Sequence, residues 1–158
     1  MREFVLRGAD DEVVIRATSA WLLLDAVTLR PRRVSSLPVI LPQNLERMFL
    51  FEKLDEVADT PCMPFFRERV RESKIDVNRH LNNAEYFSWL EDCAAEAGRR
   101  IAFLKRVFIN FVSEVKCGEE VEVSMRDDVE NAILAVDGIR NSDGRKIFKS
   151  AMEFGGES

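Results

Sequence analysis

Apolar residues rich in β-formers make residues 3–7 and 12–24 strand-like, the second reading as a long, half-buried strand. Between the two runs stands Gly8-Ala9-Asp10-Asp11, a turn signal, so the pair is predicted to be a β-hairpin. An isolated hairpin is marginal in water, and this one is expected to dock on something. Pro31, Pro38 and Pro42 then interrupt regular structure, leaving room for one short helix over 44–58. Residues 65–72 read as a strand, with Phe66 and Val70 on one face and Arg67, Arg69 and Arg71 on the other. After Leu81 the period becomes helical. Tyr86, Leu90, Cys93, Ala94 and Ala97 form one stripe, widened by Phe87 and Trp89. Asn82 is the expected N-cap, with Glu85 as its reciprocal capping partner and Leu81 stapling onto Tyr86. Gly98 is the expected stop, with Arg99 and Arg100 at the negative end of the dipole. Strands are predicted over 106–116, 119–126, 132–140 and 145–154. Cys117-Gly118 and Asn141-Ser142-Asp143-Gly144 are the expected hairpin turns, and Gly138 marks a bulge.

From residue 62 on, this order is strand, helix, then four strands, an α+β arrangement in which an antiparallel sheet wraps around one long helix. The N-terminal β-hairpin stands apart. The expected division is a hairpin over 1–27, a connector over 28–61 and a complete domain over 62–158.

Composition narrows the function. A net charge of −5 with mixed signs argues against a nucleic-acid binder. The three cysteines are widely spaced and form no CxxC pair, so neither a disulfide framework nor a zinc site is expected. With one histidine, a His-based metal site is not expected either, and no cofactor is implied. The longest apolar run, Ala20–Leu24, is too short to span a membrane, and no signal-peptide core is visible. A cytoplasmic location is the default expectation.

The chemistry-bearing stretch is Ser73-Lys74-Ile75-Asp76-Val77-Asn78-Arg79-His80-Leu81-Asn82-Asn83. It gathers a carboxylate, carboxamides and the histidine, and runs directly into the helix. Free N–H groups at the helix start (Asn82, Asn83, Ala84) and the positive end of the dipole suit a developing oxyanion. Asp76 or His80 could orient or deprotonate water, and Asn78 could fix water or a carbonyl. Taken residue by residue, Asp76, Asn78 and Asn82 are also ordinary turn and cap residues. Cys93 and the Tyr86, Phe87 and Trp89 cluster read as core.

Asp76-Val77-Asn78-Arg79-His80-Leu81-Asn82-Asn83-Ala84-Glu85-Tyr86 resembles the D-x-N-x-H-x-N-N-x-x-Y segment of acyl-ACP thioesterases, which have the hot-dog fold. Ala17-Thr18-Ser19-Ala20-Trp21 with Asp25, then Thr28-Leu29-Arg30-Pro31, is similar to the end of that family's first hot-dog. Residues 109–119 are similar to its strand after the second helix. The resemblance implies a hydrolase that releases fatty acid from acyl-ACP, with catalytic Asp76, Asn78 and His80. It also implies a complete second hot-dog and only the last strands of the first. Plant relatives place a Glu-Cys pair where this chain has Lys116-Cys117, so Glu114, two residues earlier, is the substitute carboxylate. Water attack is placed ahead of a Cys117 nucleophile. The implied partner is an acyl carrier protein or a CoA thioester, and a homodimer is expected to cover the exposed sheet edge and helix face. The basic runs (Arg30, Arg32, Arg33; Arg99, Arg100, Lys105, Arg106) are solvated faces or a dock for the acidic carrier. The alternatives are a hot-dog acyl-CoA thioesterase, an acyl dehydratase, and a non-catalytic acyl- or carrier-binding remnant.

Overall fold

The computed structural model describes residues 2–25, 27–28, 30–39 and 62–155. The chain divides into two compact units, Met1–Lys53 and Leu54–Ser158. The helix expected over 44–58 lies outside the described residues.

In the first unit, β1 (Arg2–Arg7) and β2 (Val13–Ser19) form the expected antiparallel hairpin, in register from Arg2↔Ser19 to Leu6↔Ile15. The second strand ends earlier than its apolar pattern suggests. After Ser19 the chain bends, and the Trp21 indole N–H turns back to donate to Ser19 Oγ at 2.9 Å. A separate ladder then joins β3 (Leu23–Leu24) to β4 (Pro31–Arg32). Asp25 closes the loop between them. Its Oδ1 accepts from Thr28 N at 2.9 Å, Val27 N at 3.1 Å and Thr28 Oγ1 at 3.1 Å. These donors, the Thr28 amide foremost, hold the Asp25 carboxyl below its ordinary value. Asp25 and Thr28 are therefore turn-forming residues, and the turn they make joins β3 to β4.

In the second unit, five strands form one antiparallel sheet: β5 (Met63–Arg69), β6 (Leu104–Phe111), β7 (Glu120–Asp128), β8 (Ile133–Arg140) and β9 (Lys146–Phe154), ordered β5-β7-β8-β9-β6. One helix, α1 (Asn83–Glu96), packs on it and gives the hot-dog arrangement. Leu90, Cys93 and Ala94 of α1 and Leu134, Val136, Phe148 and Met152 of the sheet are buried in the shared core. Phe87, expected to widen the apolar stripe, is 47% exposed. It stands about 100° round the helix from Tyr86, beyond the face that the sheet covers.

The helix ends follow the sequence, with one change. Asn82 Oδ1 accepts from Ala84 N at 3.0 Å. At the other end Gly98 has φ +70°, and Arg99 N donates to Ala94 O (2.8 Å) while Gly98 N donates to Ala95 O (3.0 Å), a complete Schellman pair. The reciprocal arm of the capping box is not made. Asn82 N donates instead to Lys74 O at 2.9 Å, and the Glu85 carboxylate goes to Lys74 Nζ at 3.2 Å. Arg99 is committed too. It donates twice to Asp127 Oδ1 (3.2 and 2.8 Å) and lies over the Phe154 ring, tying the helix end to the sheet.

Cys117-Gly118 is a turn but not a hairpin, because β6 and β7 are not neighbours. Strand β6 stops at Phe111, where Val112 N and Ser113 N both donate to Ile147 O (2.8 and 3.2 Å). The ladder closes there, and residues 112–119 cross the end of the sheet to β7. Gly118 N→Val70 O (2.8 Å) and Val70 N→Glu119 O (2.9 Å) anchor the crossing to the end of β5. No described helix is long and apolar enough to cross a membrane.

The register shift between Gly138 and Ile139 confirms the bulge. A Cβ at Gly138 would lie 2.3 Å from Phe148 Cε1, inside a core ring. Gly138→Ala is expected to lower stability by about 1–3 kcal/mol through overpacking, read as a lower urea midpoint at unchanged slope.

Candidate functional site

The site is built on the 72–82 segment. A short 3-10 turn (Glu72–Lys74) leads into a bridge between Ile75 and Leu81, which pinches residues 76–80 into a closed loop. Within it Asp76 N donates to His80 O (2.8 Å) and Arg79 N to Asp76 O (3.0 Å). Arg79 sits at φ +63°, the left-handed turn residue of the loop. The Asp76 carboxylate fills the loop from inside. Its Oδ1 accepts from Asn78 N (2.8 Å) and His80 N (3.2 Å), and its Oδ2 from Asn78 Nδ2 (3.3 Å). The His80 amide chiefly, and then the Asn78 donors, hold the Asp76 carboxyl below its ordinary value against the opposing effect of desolvation.

Two stitches seat this loop. Leu81 N donates to Val115 O at 2.8 Å, joining it to the 112–119 crossing. Lys74 Nζ lies 2.6 Å from Glu68 Oε1 on β5 and 3.2 Å from Glu85 Oε2 on α1. Glu68 Oε2 also accepts from the Trp89 indole N–H at 2.6 Å. Burial works against Glu68 ionising, but Lys74 and Trp89 outweigh it and its pKa falls. Its hydrogen bond to Glu68, above all, raises the Lys74 pKa.

The crossing brings Glu114 to the histidine: Glu114 Oε2 is 2.7 Å from His80 Nε2. Lys116 Nζ is 3.5 Å from Glu114 Oε1, so the chain His80–Glu114–Lys116 is continuous. Glu114 and Lys116 fall within the strand predicted over 106–116; they lie instead on the irregular crossing beyond Phe111. Arg140 holds that crossing in place. Its Nη2 donates to Glu114 O at 2.5 Å, and its Nε makes an ion pair at 3.4 Å to Glu119 without hydrogen-bond geometry. His80 and Glu114 are 39% and 52% exposed, so the site is open to solvent in this chain.

Cys117 is exposed in the turn, and a hydrogen bond to the Glu72 carboxylate, before any other influence, raises its thiol pKa. That environment favours the thiol over the nucleophilic thiolate. At the helix start, the Ala84 N–H is taken by the Asn82 cap, whereas the Asn83 N–H has no hydrogen bond among the described residues. Tyr86 is core, edge-on to Trp89, Phe111 and Phe148 at 5.1–5.3 Å, and burial pushes its phenol up to about 12. Among the described residues no cluster of His, Cys, Asp and Glu side chains is placed to hold a metal ion.

The parts played by Glu68, Lys74 and Arg140 are not legible in the sequence. They lie on separate elements, and only the mixed charge of the chain hinted at partners for them.

Because Asp76 has a folded pKa below the ordinary 3.8, its contribution to loop order is whole above about pH 4 and is lost as pH falls through the folded value. Hydrogen exchange at the Asn78 and His80 amides is expected to stay protected through pH 4 and to open at lower pH. In Asp76→Ala the same amides should be unprotected at every pH.

Three comparisons bear on this geometry. The family model described as the acyl-ACP thioesterase C-terminal domain matches residues 64–155. A chloroplastic palmitoyl-acyl carrier protein thioesterase of Arabidopsis thaliana is 27% identical over 149 residues, which is 87% of this chain and 33% of that protein. The chloroplastic oleoyl-acyl carrier protein thioesterase 2 of the same plant is 23% identical over 146 residues, 85% of this chain and 40% of that protein. The chain thus spans less than half the length of these curated relatives. Among solved structures, an acyl-ACP thioesterase from Bacteroides thetaiotaomicron superposes with a TM-score of 0.71 at 20% identity, over 97% of this chain and 61% of that one, a likeness of fold. With the helix, the 72–82 loop and the five-stranded sheet from its second residue on inside the matched stretch, the chain belongs to the acyl-ACP thioesterase family through the C-terminal domain of that family.

Proposed function

We propose that this protein hydrolyses the thioester of a fatty acyl group carried on acyl carrier protein, with His80 as general base. The observation that carries the reading is the 2.7 Å contact between His80 Nε2 and Glu114. A carboxylate only accepts, so Nε2 carries the proton toward Glu114 and Nδ1 is left as the acceptor. Asp76 is the poorer base. Its oxygens already accept three hydrogen bonds, and its pKa is lowered, away from the near-neutral value that suits proton transfer.

A water oxygen attacks the thioester carbonyl carbon while its proton passes to His80 Nδ1, and Glu114 stabilises the imidazolium. Charge on the carbonyl oxygen is met by the Asn83 N–H at the positive end of α1. The C–S bond then breaks, and the imidazolium returns its proton to the leaving thiolate. Asp76 and Asn78 hold the loop that presents His80. Lys116, at the position of the plant relatives' carboxylate, orients Glu114 through its 3.5 Å contact with Oε1. Cys117 has no part in this scheme.

We infer that residues 62–158 are the catalytic unit and that the protein acts as a homodimer. Phe87, Phe111 and Val112, on α1 and at the end of β6, are 41–52% exposed, apolar surface suited to a partner and to an acyl chain. A single monomeric species in sedimentation at micromolar concentration would count against the dimer.

His80→Gln and Glu114→Gln are each expected to lower kcat/KM on acyl-carrier protein by about a hundredfold or more, with the fold retained by circular dichroism. Cys117→Ala should leave it within about twofold. Loss of activity in Cys117→Ala alone would replace water attack by a covalent route, and binding of acyl-carrier protein without turnover in the wild type would favour the non-catalytic reading.

A further inference from the structure

A cleft of about 510 Å³ runs along the end of β5 and is lined by Arg67, Arg69, Arg71, Cys117 and Gly118, among others. The three arginines alternate along one strand, and Arg71 keeps extended backbone (φ −97°, ψ 157°), so all three point to one face. Arg67 is spoken for, with its Nε and Nη2 at 2.7 and 2.6 Å from Glu122 Oε2. Arg69 and Arg71 are not: neither makes a hydrogen bond or ion pair among the described residues. Two positions apart on an extended chain is about 7 Å, close enough for both guanidinium groups to reach one tetrahedral anion. Glu68 also lines the cleft and feels the Arg71 charge, but its carboxylate is taken by Lys74 and the Trp89 indole; Glu120 faces the Asn141 side chain and Glu72 the Cys117 thiol. Gly118, at φ +85°, leaves the floor open: nothing lies within 4 Å of where its Cβ would be.

The cleft is tied to the candidate site. The crossing carries Glu114 at one end and Cys117-Gly118 at the other, fastened by Leu81 N→Val115 O and Gly118 N→Val70 O (both 2.8 Å). Gly118 is four positions on from Glu114, so their Cα atoms lie within about 14 Å.

We propose that this cleft binds the phosphate of the phosphopantetheine arm on which the acyl thioester is presented, with Arg69 and Arg71 as its ligands. The proposal rests on the thioesterase reading above and names a subsite for its substrate. Charged side chains on an edge strand also discourage edge-to-edge pairing. That role predicts aggregation when they are removed, and no discrimination between phosphorylated and unphosphorylated substrates.

The experiment compares an acyl-pantetheine with the same acyl-4′-phosphopantetheine, substrates that differ by one phosphate, on the wild-type chain and on Arg69→Gln/Arg71→Gln. The wild type is expected to favour the phosphorylated thioester by about tenfold or more in kcat/KM at low salt, with the preference shrinking as ionic strength rises. The double variant should lose the preference while hydrolysing the unphosphorylated thioester as the wild type does. Acyl-carrier protein and acyl-CoA, which share this phosphate, should suffer alike. Absence of a preference in the wild type, its survival in the variant, or a loss confined to one of the two carriers would overturn the proposal. Should the wild type hydrolyse neither small thioester, the thioesterase reading fails on its own. Calorimetric titration with 4′-phosphopantetheine then decides the cleft, with binding lost in the variant as the expected result and no binding to the wild type as the overturning one.

Discussion

Two carboxylates close on one ammonium, Glu68 and Glu85 on Lys74, and the candidate site depends on that closure. Glu68 belongs to the first strand of the sheet, Glu85 to the first turn of the helix, and Lys74 to the loop between them. The Trp89 indole fixes the second oxygen of Glu68, so the network reaches into the core. Isolated surface pairs contribute little, because solvent screens them and long side chains lose entropy. Here the groups are about three-quarters shielded and shared among three elements, so each holds the others in place. With Lys74 seated, its carbonyl receives Asn82 N, and the loop from Ile75 to Leu81 has both ends fixed.

On that base, the site is assembled from two loops rather than from regular structure. The Asp76 carboxylate shapes the first from within, and Arg140 steadies the second by holding the Glu114 carbonyl. They meet through Leu81 N→Val115 O, which sets His80 against Glu114. A contact between loops is only as well placed as its supports. These supports come from β5, β8 and α1, the rigid elements of the domain.

Much of the fold was legible. Strand, helix and four strands appear in the predicted order, as do the Asn82 cap, the Gly98 stop and the Gly138 bulge, because each rests on local periodicity or on one residue's backbone preference. Legibility failed where a distant partner won. Glu85 abandons the capping box because Lys74 offers a full charge. Strand β6 ends early because Ile147 O captures two successive amides, and the long second strand ends at Ser19, where the chain bends and the Trp21 indole turns back to the Ser19 hydroxyl. The Cys117-Gly118 turn reads as a hairpin to any local rule, since nothing nearby says that β6 pairs at the far edge.

The sequence by itself determined the loop chemistry of Asp76, Asn78 and His80, the helix that follows and its ends, since these contacts lie within a few residues of one another. Only the tertiary structure decided that Glu114 faces His80, that Lys116 joins them, that Cys117 turns to Glu72, and that Arg69 and Arg71 have no ion-pair partner among the described residues along a cleft. Each of those outcomes needs segments far apart in the chain to be brought together. That is the work of the sheet order β5-β7-β8-β9-β6, which no short-range pattern encodes.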